Sequence, residues 1–214
     1  MRDRTLATAT RRRLALVALS IAAASQAHAA GGPLGIDHRW NLGDTGIWSR
    51  GNQKALRYAT PLVVIGGALW EGDDSRFGHT WWQSVDSLAL GVLTSEAMKR
   101  AFSRERPATT DDPNRWFQGH GQKSFPSGEV MEITTAITPF VLEYGSEHPA
   151  VWALELLPVY DGIARVKSRA HWQSDVLASF AIGSALGYYA HSRTSSLSVG
   201  ILPHGVTIGW KKRF

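Results

Sequence analysis

Apolar positions along the 214-residue chain recur mostly at helical spacing. Trp81 to Phe102 carries Val85, Leu88, Ala89, Val92, Leu93 and Met98 at a 3.6-type spacing. Pro61 to Trp70 is apolar and helix-length, with Pro61 suited to a first turn. Gly128 to Tyr144 is a third helical stretch, interrupted at Pro139. Ala150 to Ile163 is a fourth, with Pro158 inside it, and Asp175 to His191 is a fifth, nearly continuous in apolar and small residues. The period changes near the end. Leu197, Val199 and Ile201 alternate, Pro203-His204-Gly205 turns, and Val206, Ile208 and Trp210 alternate again, which predicts a β-hairpin. The pattern therefore predicts an all-α bundle with a short C-terminal hairpin over residues 194–214. The adjacent Gly66 and Gly67 mark close helix packing.

Two stretches lack periodicity. Residues 30–57 are rich in Gly, Asp, Asn and Trp with scattered apolar anchors, an arm laid over a helical body that spans 58–193. Ser103 to Pro126 is longer than the ~12–15 residues usual for a loop within a compact domain, and such loops are commonly functional. Its Trp116 and Phe117 are candidate substrate contacts. The longest uncharged apolar run, Val176 to Ala190, falls short of the ~20 residues that cross a bilayer. The alternating tail ending at Phe214 has the look of a last outer-membrane strand, but two strands cannot close a barrel.

Charge changes the picture once the N-terminus is set apart. The whole chain carries +5. Residues 1–13 hold five Arg and one Asp, Leu14 to Ala24 is apolar, and Ala27-His28-Ala29 ends the segment. That order predicts a signal peptide over 1–29, cleaved after Ala29, and an exported protein of the periplasm or cell envelope. Without it, 23 basic residues become 18 and 18 acidic residues become 17, so the remainder is near neutral. Nucleic acid is then not an expected partner. The absence of Cys excludes a disulfide framework, a Cys-ligated zinc site and a catalytic thiol. The histidines His38, His79, His148, His191 and His204 show no metal-ligand spacing with carboxylates, so no metal is expected.

Three segments carry candidate chemistry. In Lys99 to Pro107, Lys99 and Arg106 are two helical turns apart and can share a face. Ser124-Phe125-Pro126-Ser127-Gly128-Glu129 precedes a helix, where free backbone N–H groups and Gly128 allow an anion to approach. Taken alone it reads equally as an N-cap. In Ala164 to Asp175, His171 and Asp175 lie one turn apart, so a carboxylate can fix the imidazole tautomer and free the other nitrogen as nucleophile or base. Arg165 adds a planar fork suited to phosphate oxygens.

Taken in order, Lys-x6-Arg-Pro, Pro-Ser-Gly and Arg-x5-His-x3-Asp resemble the type 2 phosphatidic acid phosphatase superfamily, which also contains bacterial class A acid phosphatases and vanadium haloperoxidases. The resemblance covers about residues 55–193. It implies a mostly helical bundle and a phosphohistidine mechanism with no obligatory metal or other cofactor. Carried over, Lys99, Arg106 and Arg165 would bind phosphate oxygens together with Ser127 and the Gly128 amide. His171 would attack phosphorus and Asp175 would orient it. The partner implied is a small phosphorylated substrate, a phosphomonoester or a lipid phosphate or pyrophosphate, with peripheral membrane contact in the lipid case.

Two positions depart from the family pattern. Ala164 replaces a Ser, which removes one hydroxyl. Glu129 replaces the His that serves as general acid toward the leaving alcohol. A carboxyl can donate only if its pKa is raised, and the nearby cations oppose that. Three readings follow: Glu129 is the acid; His120 or Lys123 from the long loop takes over; or turnover is weakened and the chain is a phosphate-binding envelope protein. A vanadium-dependent haloperoxidase is a further alternative, disfavoured by the same Glu129.

Overall fold

The computed structural model describes residues 31–193 together with the backbone of 197–202 and 205–210. The expected leader over 1–29, the Pro203-His204 turn and the end at Phe214 lie outside the described residues. Five α-helices follow an irregular arm: α1 (Arg50–Glu71), α2 (Arg76–Phe102), α3 (Gly128–Tyr144), α4 (Leu156–Lys167) and α5 (Gln173–Ser192). Leu197–Leu202 and Gly205–Trp210 follow as an antiparallel ladder, with Leu197 opposite Trp210 and Leu202 opposite Gly205.

α3 is the central helix. It packs between α2 and α5 and also meets α1 and α4. Its sequence suits that place, because Val130, Met131, Ile133, Ala136, Ile137 and Val141 are all buried. The buried hydroxyls bond back to their own helix: Thr134 Oγ1 to the Val130 carbonyl at 2.7 Å and Thr138 Oγ1 to the Thr134 carbonyl at 2.6 Å. Neighbouring helices carry glycine where these threonines press in. A Cβ on Gly91 of α2 would meet Thr135 at 2.8 Å, and one on Gly183 of α5 would meet Thr134 at 2.9 Å. Ser87 Oγ donates to the Thr135 carbonyl at 2.8 Å and ties α2 to α3. Of the two glycines expected to mark close packing, Gly67 does so, since a Cβ there would meet the Trp81 ring at 2.7 Å, whereas a Cβ on Gly66 would meet nothing within 4 Å.

Helix boundaries depart from expectation in three places. α1 opens at Arg50, not Pro61, because Ser49 caps it by accepting from the Asn52 N–H at 3.4 Å. Pro61 sits inside and removes one backbone donor, which a 22-residue helix tolerates. The last residues expected in the arm are thus the first two turns of α1. α2 likewise starts earlier, at Arg76, capped by Ser75. The fourth stretch divides into a 3-10 segment, Pro149–Glu155, and α4, so Pro158 lies in the first turn of α4, where its missing N–H costs little.

The arm is anchored by one buried acid. Asp37 Oδ1 accepts from the Ser174 backbone N–H at 2.8 Å, and its Oδ2 accepts from Ser174 Oγ at 2.7 Å. It therefore caps α5 from outside that helix. Gln173 exchanges two further bonds with the backbone of His38. Trp40 packs on a buried cluster of Val130, Val166 and Val176. These contacts fix the start of α5, where His171 and Asp175 lie.

Candidate active site

Three short stretches converge at the N-terminal end of α3. Ser127 is its N-cap residue, fully buried, and its Oγ has no hydrogen-bond partner. A Cβ on Gly128 would lie 2.4 Å from Lys99 Nζ, so glycine is what lets the ammonium settle on this helix end. Lys99 is mostly buried and pairs with Glu96 at 3.2 Å. Unfilled donors, a buried hydroxyl and a lysine thus face one point.

His171 is 3% exposed. Its Nδ1 lies 2.5 Å from the Ser124 carbonyl oxygen, which as an acceptor requires the proton on Nδ1. Nε2 then carries the lone pair. Burial, opposed by Asp175 and reinforced by the charges of Arg165 and Arg106, pushes the imidazole pKa down to about 4, so the ring is neutral near pH 7. Asp175 Oδ2 is 3.8 Å from Nδ1, which is ion-pair contact and not a hydrogen bond. That oxygen instead accepts from Ser124 Oγ at 2.6 Å and from the Trp172 N–H at 2.9 Å. Oδ1 accepts from Arg104 Nη1 at 2.5 Å. Burial works against the Asp175 carboxylate, yet His171, Arg104 and Ser124 hold its pKa below the usual range.

Arg104 is the hub beneath this pair. It is fully buried and joins Asp175 to Asp37 (2.6 Å) and to the Pro113 carbonyl, and its guanidinium lies over the Trp116 ring at 4.3 Å. Neither Arg104 nor Asp37 was singled out from the sequence. The available signals were an Arg two residues before Arg106 and a lone acid in the apolar run Gly35-Ile36-Asp37.

The cations expected to hold phosphate gather nearby. Arg165 on α4 is 5% exposed, donates to Gln53 Oε1 at 2.9 Å and leaves Nε without a partner. Burial lowers its pKa to about 10, still far above neutrality. Arg106 donates to the Lys123 carbonyl at 3.3 Å, and burial lowers its pKa as well. Glu129 sits among them. Its carboxylate makes two bonds to Arg50 (2.7 and 2.6 Å), with Arg57 at 3.5 Å and Arg165 Nη1 at 3.8 Å. Asp161, one turn before Arg165, is fully buried with neither oxygen hydrogen-bonded. Burial first, then the Glu129 charge, raises its pKa to about 7.

A family model described as the PAP2 superfamily matches residues 80–196. The chain belongs to the PAP2 superfamily. It is 33% identical over 115 residues to a lipid A 1-phosphatase of Porphyromonas gingivalis, an alignment covering 50% of this chain and 23% of that protein. The chain thus spans about a quarter of that relative's length. A transmembrane PAP2-type phosphatidylglycerolphosphate phosphatase from Bacillus subtilis shares the fold, with TM-score 0.51 and 18% identity over 85% of this chain and 83% of that one. That likeness supports the helical body and not the C-terminal ladder. Among the described residues no helix is long and apolar enough to cross a membrane.

Within this PAP2 frame, the structure brings Lys99, Arg106, Ser127, Gly128, Arg165, His171 and Asp175 to one end of the bundle. Of the three readings, the geometry counts against Glu129 as the proton donor. Burial would favour the protonated form, but Arg50, Arg165 and Arg57 outweigh it and lower the pKa, so the carboxyl is ionised. Trp116 packs edge-on against Phe125 and Phe102, and the Arg104 guanidinium lies over its ring. Phe117 is 71% exposed, and His120 and Lys123 are exposed on the same loop. Among the described residues no three His, Asp or Glu side chains gather as a metal site would require.

Proposed function

We propose that this chain hydrolyses a lipid phosphate ester through a phosphohistidine at His171, in the periplasm or cell envelope. The observation that carries the reading is the buried, neutral His171, with its Nδ1 on the Ser124 carbonyl, beside the cations Arg106 and Arg165. Attack by Nε2 on phosphorus forms an N–P bond and expels the leaving oxygen. Water then displaces the imidazole and releases inorganic phosphate. Phosphoryl transfer needs chiefly positioning and charge stabilisation. Lys99, Arg106, Arg165, the Ser127 hydroxyl and the Gly128 amide supply both. The Arg104–Asp175–Ser124 network keeps the imidazole in place.

The lipid part of the reading rests on a groove of about 360 Å³. Leu56 and Val63 of α1, Trp81 of α2, Ile133 and Phe140 of α3, and Leu157 of α4 line it. Leu56 follows Gln53 by one turn, and Ile133 follows Glu129 by one turn, so the groove starts about 6 Å below the charged cluster. Its α1 wall continues into the exposed Leu62, Leu69 and Trp70, which suit contact with a membrane surface. The lipid phosphatase names of the relatives agree with this substrate class.

The test is phosphate release by the purified protein from p-nitrophenyl phosphate and from phosphatidate in mixed micelles. The reading expects turnover of both, and a fall of at least about 1,000-fold in His171→Ala. Phosphate binding without turnover of either would favour the phosphate-binding envelope protein instead. Ala59→Trp, at the open wall of the groove, is expected to impair phosphatidate more than p-nitrophenyl phosphate.

A further inference from the structure

Resting on that reading, we infer that Asp161 is a positioning residue that decides whether Arg165 is free to hold a phosphoryl group. As the neutral acid it leaves the guanidinium to the substrate, and as the carboxylate it draws the guanidinium back along α4.

Two unfilled groups stand on one helix. Asp161 and Arg165 are four residues apart, so their side chains rise from the same face of α4. Asp161 is fully buried and neither oxygen has a hydrogen-bond partner. Arg165 is 5% exposed and its Nε has no partner either. Asp–Arg pairs at this spacing bond readily when the acid is charged. These two are not bonded to each other. The guanidinium turns instead toward the site, with Nη1 donating to Gln53 Oε1 at 2.9 Å and lying 3.8 Å from Glu129. That arrangement suits a neutral Asp161, with the charged form left a donor to claim.

The surrounding charges point the same way. Asp161 feels Arg165 on its own helix, Arg50 on α1, and Glu129 and Glu132 on α3. α5 turns an apolar side here, since a Cβ on the adjoining Gly162 would meet Val176. Glu132 is answered by Arg57 at 4.0 Å. Of the rest, Arg50 and Arg165 outweigh Glu129 and leave one positive charge while Asp161 is neutral. An ionised Asp161 cancels it. A dianion at Arg165 then meets no net attraction and has a carboxylate behind the guanidinium. Burial and the Glu129 charge place this change of state at about pH 7. The coupling is reciprocal, so a dianion on Arg165 favours the Asp161 proton by the factor by which the proton favours the dianion.

The probe is sulfate, a tetrahedral dianion whose charge is the same in weak acid and weak base. It is measured as a competitive inhibitor of p-nitrophenyl phosphate hydrolysis at about pH 6 and about pH 8.5, on either side of the Asp161 transition. The wild type should bind sulfate at least about tenfold more weakly at the higher pH. Asp161→Asn cannot ionise and should keep the tight constant at both values, with a lower KM than the wild type at the higher pH and little change in kcat. Glu132→Gln removes the neighbouring acid and should retain the wild-type step. An inhibition constant does not depend on the amount of folded enzyme, and tighter binding is a gain that a damaged fold would not produce. No step in the wild type, the same step in Asp161→Asn, or its loss in Glu132→Gln would overturn the inference while turnover of p-nitrophenyl phosphate upholds the phosphatase reading. Absence of turnover by the wild type at both pH values would overturn that reading and the inference with it.

Discussion

His171 Nδ1 is 2.5 Å from the carbonyl oxygen of Ser124 and 3.8 Å from the nearer oxygen of Asp175. The acid that the sequence pairs with the histidine thus acts at one remove. Asp175 fastens Ser124 through its hydroxyl, and the Ser124 carbonyl fixes the imidazole. The first prediction follows. Asp175→Asn should destabilise the fold by about 3–5 kcal/mol, because it leaves Arg104 buried with half its countercharge gone. Ser124→Ala keeps the carbonyl, so its loss should be smaller, of order 1 kcal/mol. Urea denaturation of the two variants checks the ranking.

The second prediction concerns pH. The folded pKa of His171 is about 4 and the unfolded value about 6.5. The unfolded chain therefore takes up this proton first as pH falls. The contribution to stability is complete above pH 6.5 and is lost toward pH 4, by up to about 3 kcal/mol. NMR titration should find the His171 ring neutral, with the proton on Nδ1, from pH 8 down to about pH 5.

Asp161 behaves in the opposite sense. Its folded pKa, about 7, lies above its unfolded value near 3.8. Ionisation is thus more costly in the folded state, and stability falls as pH rises from 4 to 7. Asp161→Asn should stabilise the protein by up to about 4 kcal/mol at pH 8 and by well under 1 kcal/mol at pH 4. Denaturation midpoints at the two pH values measure the difference.

Gly128 is the third probe of the site. An added Cβ would lie 2.4 Å from Lys99 Nζ and must displace the ammonium. Gly128→Ala should weaken phosphate or vanadate inhibition by roughly 10–100-fold, the worth of one charged hydrogen bond at about 1.5–3 kcal/mol. A competition assay against p-nitrophenyl phosphate reads it directly.

Much of this was legible in the sequence for local reasons. Gly128–Tyr144 announces itself by Ser127 before it and a dense apolar run within it, and its observed bounds match. His171 and Asp175 are one turn apart in any helix start. What escaped depends on contacts between distant segments. Asp37 reaches α5 across 137 residues, and nothing around it marks it as a cap. Arg50 meets Glu129 only because α1 begins eleven residues before Pro61, which by itself reads as a helix start. Glu129 was legible as a departure from the family pattern, but its ionisation was not, since the charge that decides it comes from α1.

In the proposed reaction His171 carries the phosphoryl group. The direct measurement is to mix enzyme with substrate labelled in the transferred phosphoryl group, quench in alkali during the first turnover and map the label. An alkali-stable, acid-labile label is expected on the peptide containing His171, and none in His171→Ala. Rapid turnover with no label at His171, or undiminished turnover in His171→Ala, would contradict it.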